Sequence, residues 1–521
     1  MILRSYCYIF FIFSACNKSA STNNDLNKRN TFYFSVSGDD KNDGSFDHPL
    51  KTISYLNTLN LKVGDSVLFK GGETFMGNIS LKANTKGNTA EPVLIASYGN
   101  GNAIIDAANE TAITIYNSSF VNIHNLTCKG TGRKDGNTKA GIAITSCNNI
   151  VIDNIDVSGF QKSGLQIYSC KNVTINKVYA HDNGAAGIGV EGNFNNKLST
   201  NNIKITYCNA ENNPGDPTNL TNHSGNGIVA GHCTNVVIDH CMATNNGWDM
   251  PRIGNGPVGI WCYEADSVII QHCISYRNKT SVGGADGGGF DLDGGVTNSI
   301  IQYCLSYENQ GSGYCIFQYW GASPWYNNVI RYNISENDGL VSDSRAGVYV
   351  WNSSEDAKQF YNCDVYNNTI YNSKQAALSF SNTSEHKSFR FFNNIFIAKD
   401  SLIKGKKGDD IFIANDWWSI EKKFNADGIN DFTSWITTNN IEQLNGKVKG
   451  LNVLPPFKNA DNTTLTDVNQ LGDFENYKIK DPSPVIQSGI DLQSLFNIDT
   501  GNKDFNGELI NKYYIGACTH Q

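Results

Sequence analysis

The chain has 521 residues, of which 40% are hydrophobic and 17% are charged, and its formal net charge is −8. This length suffices for several ordinary domains or for one long repetitive domain. The negative charge and the lack of a basic patch interleaved with aromatic residues argue against a nucleic-acid partner. The 49 glycines and only 11 prolines favour many short strands joined by turns over long helices.

Residues 1–16 are predicted to be an export signal, because a basic residue precedes an apolar run too short to span a bilayer. The sequence Phe-Ser-Ala-Cys at positions 13–16 resembles a bacterial lipobox, which implies acylation of Cys16; an ordinary signal peptide cut near Ala15 is the alternative. The polar residues 17–30 would form a tether. We therefore expect an exported protein, either a lipid-anchored outer-membrane or cell-surface lipoprotein or a periplasmic or secreted one.

Residues 31–110 are predicted to form an N-terminal cap and the first coils of a repetitive fold. Short apolar stretches alternate with glycine turns in this part of the chain, and one short helix is expected near residues 51–60. This segment resembles the entry section of many bacterial right-handed parallel β-helix proteins, and the resemblance implies that it caps the open end of the solenoid.

Residues 111–400 contain a repeat of a little over twenty residues, stretched by insertions. This period is too long for hexapeptide helices, and leucine-rich and WD patterns are absent. Most repeats begin with glycine and then alternate apolar and variable positions, as strands with one buried face do. The repeats start near Ala112, Gly141, Gly164, Gly187, Gly227, Gly259, Gly289, Gly313, Gly347 and Ala377.

The fourteen cysteines would ordinarily indicate disulfides in an exported protein. Their placement favours a column of buried free thiols instead, because five share one repeat position: Cys208, Cys241, Cys273, Cys304 and Cys363. An asparagine follows each after five residues: Asn213, Asn246, Asn278, Asn309 and Asn368. We expect these asparagines to accept left-handed backbone and to hydrogen-bond their copies in the next coil. No C-x-x-C pair is present, so no metal site is predicted.

These repeats resemble the right-handed parallel β-helix superfamily of bacterial carbohydrate-active proteins, which includes pectate lyases, polygalacturonases and chondroitinase-B-like enzymes. The closing stretches 483–489 and 504–507 resemble the terminal segment of many such proteins. The resemblance implies an all-β, single-stranded right-handed parallel β-helix, with residues 401–521 forming irregular C-terminal coils and a closing segment. The same scaffold also serves adhesins and phage tailspikes, so it implies a fold and not one function.

The third and fifth positions of each repeat are predicted to face outward and to form one outer sheet. In chain order, these pairs are Gln166/Tyr168, Gly189/Glu191, Val229/Gly231, Trp261/Tyr263, Asp291/Asp293, Cys315/Phe317 and Tyr349/Trp351. Aromatic rings bind the apolar faces of sugars, and acids bind their hydroxyls. Long insertions before the repeat starts would raise the walls of a groove along this sheet. We therefore predict a sugar-binding cleft that contains Trp261, Tyr263, Tyr349, Trp351, Trp320, Glu191 and Arg252.

Asp291 and Asp293 are the predicted catalytic acid and base. Two residues along one strand span about 6.6 Å, near the roughly 6.5–9.5 Å between the carboxyl groups of inverting glycosidases. Crowding two acids should raise the pKa of one of them and separate their roles. Glu264, one coil below, and Asp286, in the preceding loop, are the other candidates. The sequence thus predicts a monomeric glycoside hydrolase that acts on a polysaccharide or oligosaccharide and requires no cofactor.

Two alternatives remain open. The stretch 286–292 resembles a coil of one pectate lyase family, which carries a lysine base where this chain has Asp291. β-Elimination from a uronate polymer would then need Ca²⁺ held by Asp286, Asp291 and Asp293, and a base from Arg252, Lys279 or Arg345. The second alternative is a non-catalytic surface β-helix that binds glycans.

Overall fold

A computed structural model describes residues 29–342, 345–354, 356–381, 385–399, 401–405, 409–421 and 423–519. The export signal, Cys16 and most of the predicted tether lie outside these residues, so the anchor and the localisation stay predictions. The longest helix of the described residues, Phe432–Asn439, has eight residues, which is too short to cross a bilayer.

The chain forms a right-handed parallel β-helix, which confirms the predicted fold class. One sheet of twelve parallel strands carries the predicted outer face, and we name it the site sheet. Its strands are Ile79–Ser80, Ile113–Tyr116, Ile142–Thr145, Leu165–Tyr168, Ala186–Glu191, Asn226–Gly231, Val258–Tyr263, Gly288–Leu292, Tyr314–Gln318, Ala346–Asn352, Ala376–Phe380 and Ile403–Lys404.

A second sheet of 24 strands, the back sheet, wraps the other sides of the solenoid. Its strands are Thr31–Phe34, Ser66–Lys70, Thr74–Met76, Val93–Tyr98, Ala103–Ala108, Ser119–Gly130, Asn148–Ser158, Lys171–His181, Asn201–Thr206, Asn209–Glu211, Thr234–Asp239, Met242–Thr244, Asp266–Gln271, Ile274–Tyr276, Ile300–Gln302, Leu305–Tyr307, Trp325–Arg331, Ile334–Glu336, Phe360–Tyr366, Thr369–Asn372, Lys387–Phe392, Ile395–Ala398, Ile411–Ile413 and Asp416–Ser419. The hairpin Gln443–Leu444 and Lys447–Val448 is antiparallel. The helices are Ile53–Leu56, Phe432–Asn439 and Leu492–Phe496, with 3₁₀ turns at Lys197–Ser199, Val468–Asp473 and Pro484–Ile486.

Single left-handed residues form the corners of the back sheet. In four successive coils the corner residue has φ between 48° and 56° and separates two short strands: Tyr207, His240, His272 and Tyr303. Asn154 and Asn367 hold the same backbone region at the corners of other coils, and asparagine tolerates it better than most residues. These corners let the strands of each coil enclose an apolar interior.

The interior consists of columns of apolar side chains in strict register. Ile205, Ile238, Ile270, Ile301 and Ile330 are successive partners along the back sheet, and all are fully buried. Burying one such side chain contributes about 1.5–3 kcal/mol. The repeated apolar column therefore explains why the alternating pattern of the sequence predicts the fold so directly.

The asparagines form a buried ladder that runs along the coils. The backbone N–H and the Nδ2 group of Asn246 both donate to Oδ1 of Asn278, at 3.3 and 2.9 Å. Asn278 donates to Asn309 in the same way, and Asn309 donates to the carboxyl of Asp338. This confirms the predicted bonding between copies, but the left-handed residue is the one before the ladder position, as at Asn245.

The repeat-leading glycines are required by this ladder. A Cβ on Gly259 would lie 2.0 Å from Ser275 Oγ and 2.6 Å from Asn278 Nδ2, closer than real Cβ contacts. A Cβ on Gly289 would meet Asn309 Nδ2 at 2.9 Å. The glycine of each repeat and the asparagine of the same coil are therefore two sequence signals of one packing contact.

All twelve cysteines of the described residues are buried free thiols. Cys208, Cys241, Cys273 and Cys304 form the predicted column, and the N–H of Cys241 lies 3.4 Å from Sγ of Cys273. The placement of Cys363 in this column was wrong, because Cys363 pairs with Asn328 and Phe389.

The cysteine column continues as a second asparagine ladder. Cys304 donates its N–H to Asn333 Oδ1, and Asn333 donates to Asn368. The ladder then runs through two more asparagines and ends on the buried carboxyl of Glu442. Asn368 thus belongs to the second ladder and Cys363 lies outside the cysteine column, so their five-residue spacing does not reflect the same two columns as in the earlier coils.

Both ladders end on a buried acid, and this predicts a stability that falls with pH. Burial raises the pKa of Asp338 and of Glu442 to about 7, although the hydrogen bonds that they accept oppose the rise. The folded state holds both protons more tightly than the unfolded chain, so the stabilisation is complete below about pH 4 and is lost as pH rises to about 7. We expect a lower urea midpoint at pH 8 than at pH 5. Asp338→Asn should reduce that difference, and equal midpoints for the wild type would contradict the expectation.

The C-terminal segment follows the last coil and packs along the outside of the solenoid. Thr463 donates to both carboxyl oxygens of Glu336, and Ile490 donates its N–H to Asn393. Residues 401–521 were predicted to add irregular coils and a closing segment. In the structure the coil strands end with Asp416–Ser419, and the following bridge joins Asp416 to Leu451.

Candidate active site

The predicted outward column of the site sheet has the expected register. Asp291 pairs with Trp261 in one neighbouring coil and with Cys315 in the other, and Cys315 pairs with Tyr349. Phe317 pairs with Trp351 along the same direction. Asp291 therefore lies one coil from Trp261 and two coils from Tyr349, as the sequence predicts.

A cavity of about 600 Å³ opens above this column. Its lining includes all five aromatic residues that the sequence predicts for the cleft. Loops from several coils complete its wall, which agrees with the predicted position of the long insertions. The lining residues are Asn222, His223, Asn255, Trp261, Tyr263, Ala285, Asp286, Asp293, Phe317, Tyr319, Trp320, Arg345, Tyr349, Trp351 and Ser353.

The aromatic walls are held by contacts within the protein. Trp261 stacks on Tyr263 with 5.3 Å between ring centroids, and Phe317 packs edge-on against Trp351 at 5.7 Å. The guanidinium of Arg345 lies 4.8 Å from the ring centroid of Tyr349. Trp320 differs because 80% of its surface is exposed, so its ring is free to meet a ligand at the rim.

Asp291 faces outward in the predicted register but does not line the cavity. Only 2% of its surface is exposed, and its Oδ1 has no hydrogen-bond partner among the described residues. Burial raises the pKa of Asp291 well above its usual range, and the charges of Asp293 and Asp286 raise it further. Asp291 therefore lies beneath the cavity surface, in surroundings that favour its protonated form.

Asp293 and Asp286 are the two acids that line the cavity, and their surroundings differ. Burial raises the pKa of Asp293 to about 7, with Asp286 adding to the rise and the Gly294 N–H opposing it. Burial also raises the pKa of Asp286, but the Gly256 N–H at 2.7 Å and the charges of two arginines, Arg345 and Arg252, oppose the rise. Asp286 thus has more support for its ionised form than Asp293 has.

The other predicted polar residues lie behind the cavity surface. Glu264 lies 3.1 Å from Lys197 Nζ and accepts the Ser323 N–H at 2.8 Å. Burial acts to raise the pKa of Glu264, but these partners outweigh it and lower the pKa. Glu191 accepts a hydrogen bond from the Tyr263 hydroxyl, and burial raises the pKa of Glu191 to about 7. Glu264 and Glu191 therefore support the cavity wall from behind.

Arg252 also lies outside the cavity lining, in the loop before the strand Val258–Tyr263. Its carbonyl accepts a hydrogen bond from Ser281 at 3.0 Å, which joins two wall loops. The charge of Arg252 reaches the cavity, because it acts on the pKa of both His223 and Asp286.

His223 lines the cavity and is held in one neutral tautomer. Asn226 Oδ1 accepts from the Val258 N–H and from Trp261 Nε1, which can only donate, so the Nδ2 group of Asn226 must face the other way. That group donates to the Ala185 carbonyl and to His223 Nδ1, at 3.1 and 3.0 Å. Nδ1 is therefore an acceptor, and Nε2 carries the proton. Burial and Arg252 lower the pKa of His223 to about 4, which keeps it neutral.

Comparison with known proteins agrees with the fold. The sequence profile of the Pel9A-like right-handed β-helix region matches residues 32–343, more than half of the chain. The chain belongs to the Pel9A-like β-helix family. This confirms the superfamily that the sequence predicts. No curated protein matches the sequence.

Solved structures similar to this Pel9A-like chain include both lyases and a hydrolase. Pectate lyase Pel9A shares 15% identity, with a TM-score of 0.44 over 95% of this chain and 98% of that chain. A mannuronic acid-specific polysaccharide family 6 lyase from human gut microbiota shares 15% identity, with a TM-score of 0.49 over 79% and 93%. GH136 lacto-N-biosidase from Eubacterium ramulus shares 15% identity, with a TM-score of 0.40 over 73% and 67%. At this identity the likeness concerns the fold alone.

The carboxyl oxygens of Asp286, Asp291 and Asp293 in this Pel9A-like protein are not close enough together to hold one metal ion. In the part of the chain that the structure describes, one group of three His, Cys, Asp or Glu residues brings its ligand atoms within 4.8 Å of one another: Asp239, His240 and His272. That group lies on the back sheet. For Asp286, Asp291 and Asp293 to share a Ca²⁺ ion, their carboxyl oxygens would have to move closer together.

Three residues that line the cavity were not among the predicted sugar-binding or hydrolytic residues, although Arg345 was a candidate base of the lyase alternative. His223, Tyr319 and Arg345 come from loops between coils, where no repeat position marks the direction of a side chain. Burial raises the pKa of Tyr319, and the nearby charges of Asp293 and Glu264 add to the rise. Position along the chain could have indicated them, because each of the three lies in a loop that adjoins a strand of the site sheet.

Proposed function

We propose that this protein is a glycoside hydrolase that cleaves a polysaccharide or oligosaccharide, with Asp293 as general acid and Asp286 as base. The observation that carries the proposal is the pair of carboxyl groups, in unlike surroundings, inside one aromatic-walled cavity. Groups whose pKa values are driven apart by their environments are the usual acid and base of such a site. An extracellular glycan also suits the predicted export signal and the predicted anchor at Cys16.

Asp293 fits the role of the acid because its pKa of about 7 leaves much of it protonated near neutral pH. Its proton would pass to the glycosidic oxygen while the bond from that oxygen to the anomeric carbon breaks. Asp286 would take a proton from the water that attacks the anomeric carbon. Each product then carries one new hydroxyl group, and both acids are restored by exchange of protons with solvent.

The remaining lining residues supply groups that bind sugars. Tyr263 and Trp351, which are partly exposed, and the exposed Trp320 offer flat rings for the apolar faces of pyranose units, whereas Trp261 is 3% exposed and packs behind Tyr263. His223 offers one N–H donor at Nε2 and remains neutral in the working pH range. A volume of about 600 Å³ lies within the usual range of ligand cavities, roughly 300–1,000 Å³. A short stretch of a glycan would fit.

The proposal moves one catalytic role away from Asp291. The sequence predicts Asp291 and Asp293 as the pair, but Asp291 is buried beneath the surface and Asp286 occupies the lining. Burial and the charges of Asp286 and Glu264 raise the pKa of Asp293, whereas a protonated Asp291 adds no negative charge beside it. Because Asp291 is buried beneath the cavity lining, we assign it a positioning role.

Lyase activity is the second candidate, favoured by membership of the Pel9A-like family. β-Elimination needs a base at the carbon next to the uronate carboxylate, and no lysine is among the residues that line the described cavity. Of the residues that line the cavity, Arg345 carries a permanent positive charge. It would have to neutralise the uronate carboxylate and also assist the base. This demand makes hydrolysis the better supported reaction.

A panel of neutral and uronate polysaccharides and oligosaccharides tests the proposal, with products identified by mass. We expect products that have gained one water per cleavage, with new reducing ends and no new ultraviolet absorbance. Products without added water, with the absorbance of a conjugated double bond and loss of activity in a chelator, would establish the Ca²⁺-dependent lyase. Glycan binding without products, unchanged in Asp293→Asn, would establish the non-catalytic alternative.

A further inference from the structure

A second cluster of ligand-type side chains lies on a corner of the back sheet, away from the cavity lining. Asp239 Oδ1 lies 2.8 Å from Nδ1 of His240 and 2.9 Å from Nδ1 of His272. The three side chains are 23–35% exposed, so both solvent and a small ion have access to them. One carboxylate oxygen thus faces two imidazole nitrogens at once.

The coil geometry brings the two imidazoles together. Asp239 pairs in register with Gln271, so the following residues, His240 and His272, occupy the same corner in adjacent coils. Both have left-handed backbone, with φ of 52° and 48°, and their ring centroids are 4.8 Å apart. Tyr207 and Tyr303 stack on the outer faces of the pair, at 5.0 and 5.2 Å. The rings are therefore held in place before any ligand arrives.

We propose that Asp239, His240 and His272 form a binding site for a divalent transition-metal ion of the Zn²⁺ type. Two imidazole nitrogens and one carboxylate oxygen are a ligand set that Zn²⁺ accepts, with water in the fourth position. Ca²⁺ and Mg²⁺ prefer sets made of oxygen atoms, so two nitrogens disfavour them. The bound ion would join two adjacent coils at their corner.

Zinc binding would require only small movements of the three ligand atoms. Zn²⁺ lies about 2.0–2.1 Å from nitrogen and about 2.0–2.2 Å from oxygen, so tetrahedral ligand atoms are about 3.3 Å apart. The present Nδ1–Oδ1 separations of 2.8 and 2.9 Å would open by about half an ångström. Each neutral imidazole would also move its proton from Nδ1 to Nε2, which frees both Nδ1 lone pairs without a change of charge.

Zinc titration of the full, metal-stripped chain by calorimetry tests the site. We expect one strong Zn²⁺ site in the wild type and a rise in melting temperature with added ZnCl₂. His240→Phe and His272→Phe keep a ring in the stack but remove the ligand nitrogen, so each should weaken binding at least about tenfold. His181→Phe is the matched control and should bind as the wild type does, because His181 also contacts aspartates, but through different nitrogens.

Absence of a strong site in the wild type, or equal affinity in the wild type and His272→Phe, would overturn the proposal. If a phenylalanine variant does not fold, Asp239→Asn provides the same test with a side chain of nearly equal size. Zinc held by Cys7 or Cys16, which lie outside the described residues, would persist in every variant and so be recognised.

Discussion

Asp293→Asn is expected to lower kcat by about 10²–10⁴ with little change in KM, because general acid catalysis contributes that factor and the amide keeps the shape of the side chain. The wild-type rate should fall as pH rises above about 7, since the proton of Asp293 is then lost. Steady-state rates on the best substrate of the panel, measured across pH, check both expectations.

A substrate with a good leaving group separates the two roles. An aryl glycoside of the same sugar needs little protonation, so it should restore much of the rate of Asp293→Asn but not that of Asp286→Asn. Asp291→Asn replaces a protonated carboxyl group with a neutral amide of nearly the same shape, so it should lower the maximal rate far less than Asp293→Asn does and leave the pH dependence nearly unchanged. A loss in Asp291→Asn as large as in Asp293→Asn, without rescue, would show instead that Asp291 reacts directly, as the sequence predicts.

Asn278→Leu is expected to destabilise the fold by about 3–6 kcal/mol. The change removes the acceptor of the Asn246 N–H and of one Asn246 Nδ2 hydrogen, and it removes the Nδ2 donor to the Ala243 carbonyl and to Asn309 Oδ1, all in a buried column. Each unsatisfied buried group costs about 1–3 kcal/mol, and leucine cannot replace them. The measurement is the free energy of unfolding from denaturant titration.

Two control variants locate the effect in the ladder. Asn278→Asp keeps the acceptor but loses the donor, so it should cost less than the leucine variant at low pH, where the acid is protonated. Asn122 is half-buried in a strand of the back sheet, and Asn122→Leu should change stability by less than about 1 kcal/mol. A cost for Asn278→Leu as small as that of Asn122→Leu would mean that the ladder adds little.

The sequence predicts this fold well because each coil repeats the same contacts. The apolar alternation, the leading glycine and the ladder asparagine each report on packing that recurs every coil, so a pattern of three residue types defines the register. The same register places Asp291 beside Trp261 and predicts the aromatic column correctly. The prediction failed for Cys363, where a different column produces the same spacing.

The burial of Asp291 and the role of His223 could not be predicted from the sequence, and the reason is physical. Whether a strand residue meets solvent depends on loops from several other coils, whose conformations no repeat position specifies. The tautomer of His223 depends on Asn226, Val258 and Trp261, which lie up to about forty positions along the chain. The burial of Asp291 and the tautomer of His223 thus depend on contacts that occur once in the molecule and do not repeat from coil to coil.

Each asparagine ladder also has a direction, since each amide oxygen accepts from the previous coil, while the backbone N–H and one Nδ2 hydrogen of the same residue are donated to the next coil. The carboxyl groups of Asp338 and Glu442 accept from the last amide of each ladder, so each acid is the terminus of its ladder. A whole coil duplicated or deleted in the middle of a ladder would leave every neighbour chemically matched. A coil added beyond either acid would find no amide donor there. We therefore expect gain or loss of single coils to be tolerated better inside the ladders than at their ends.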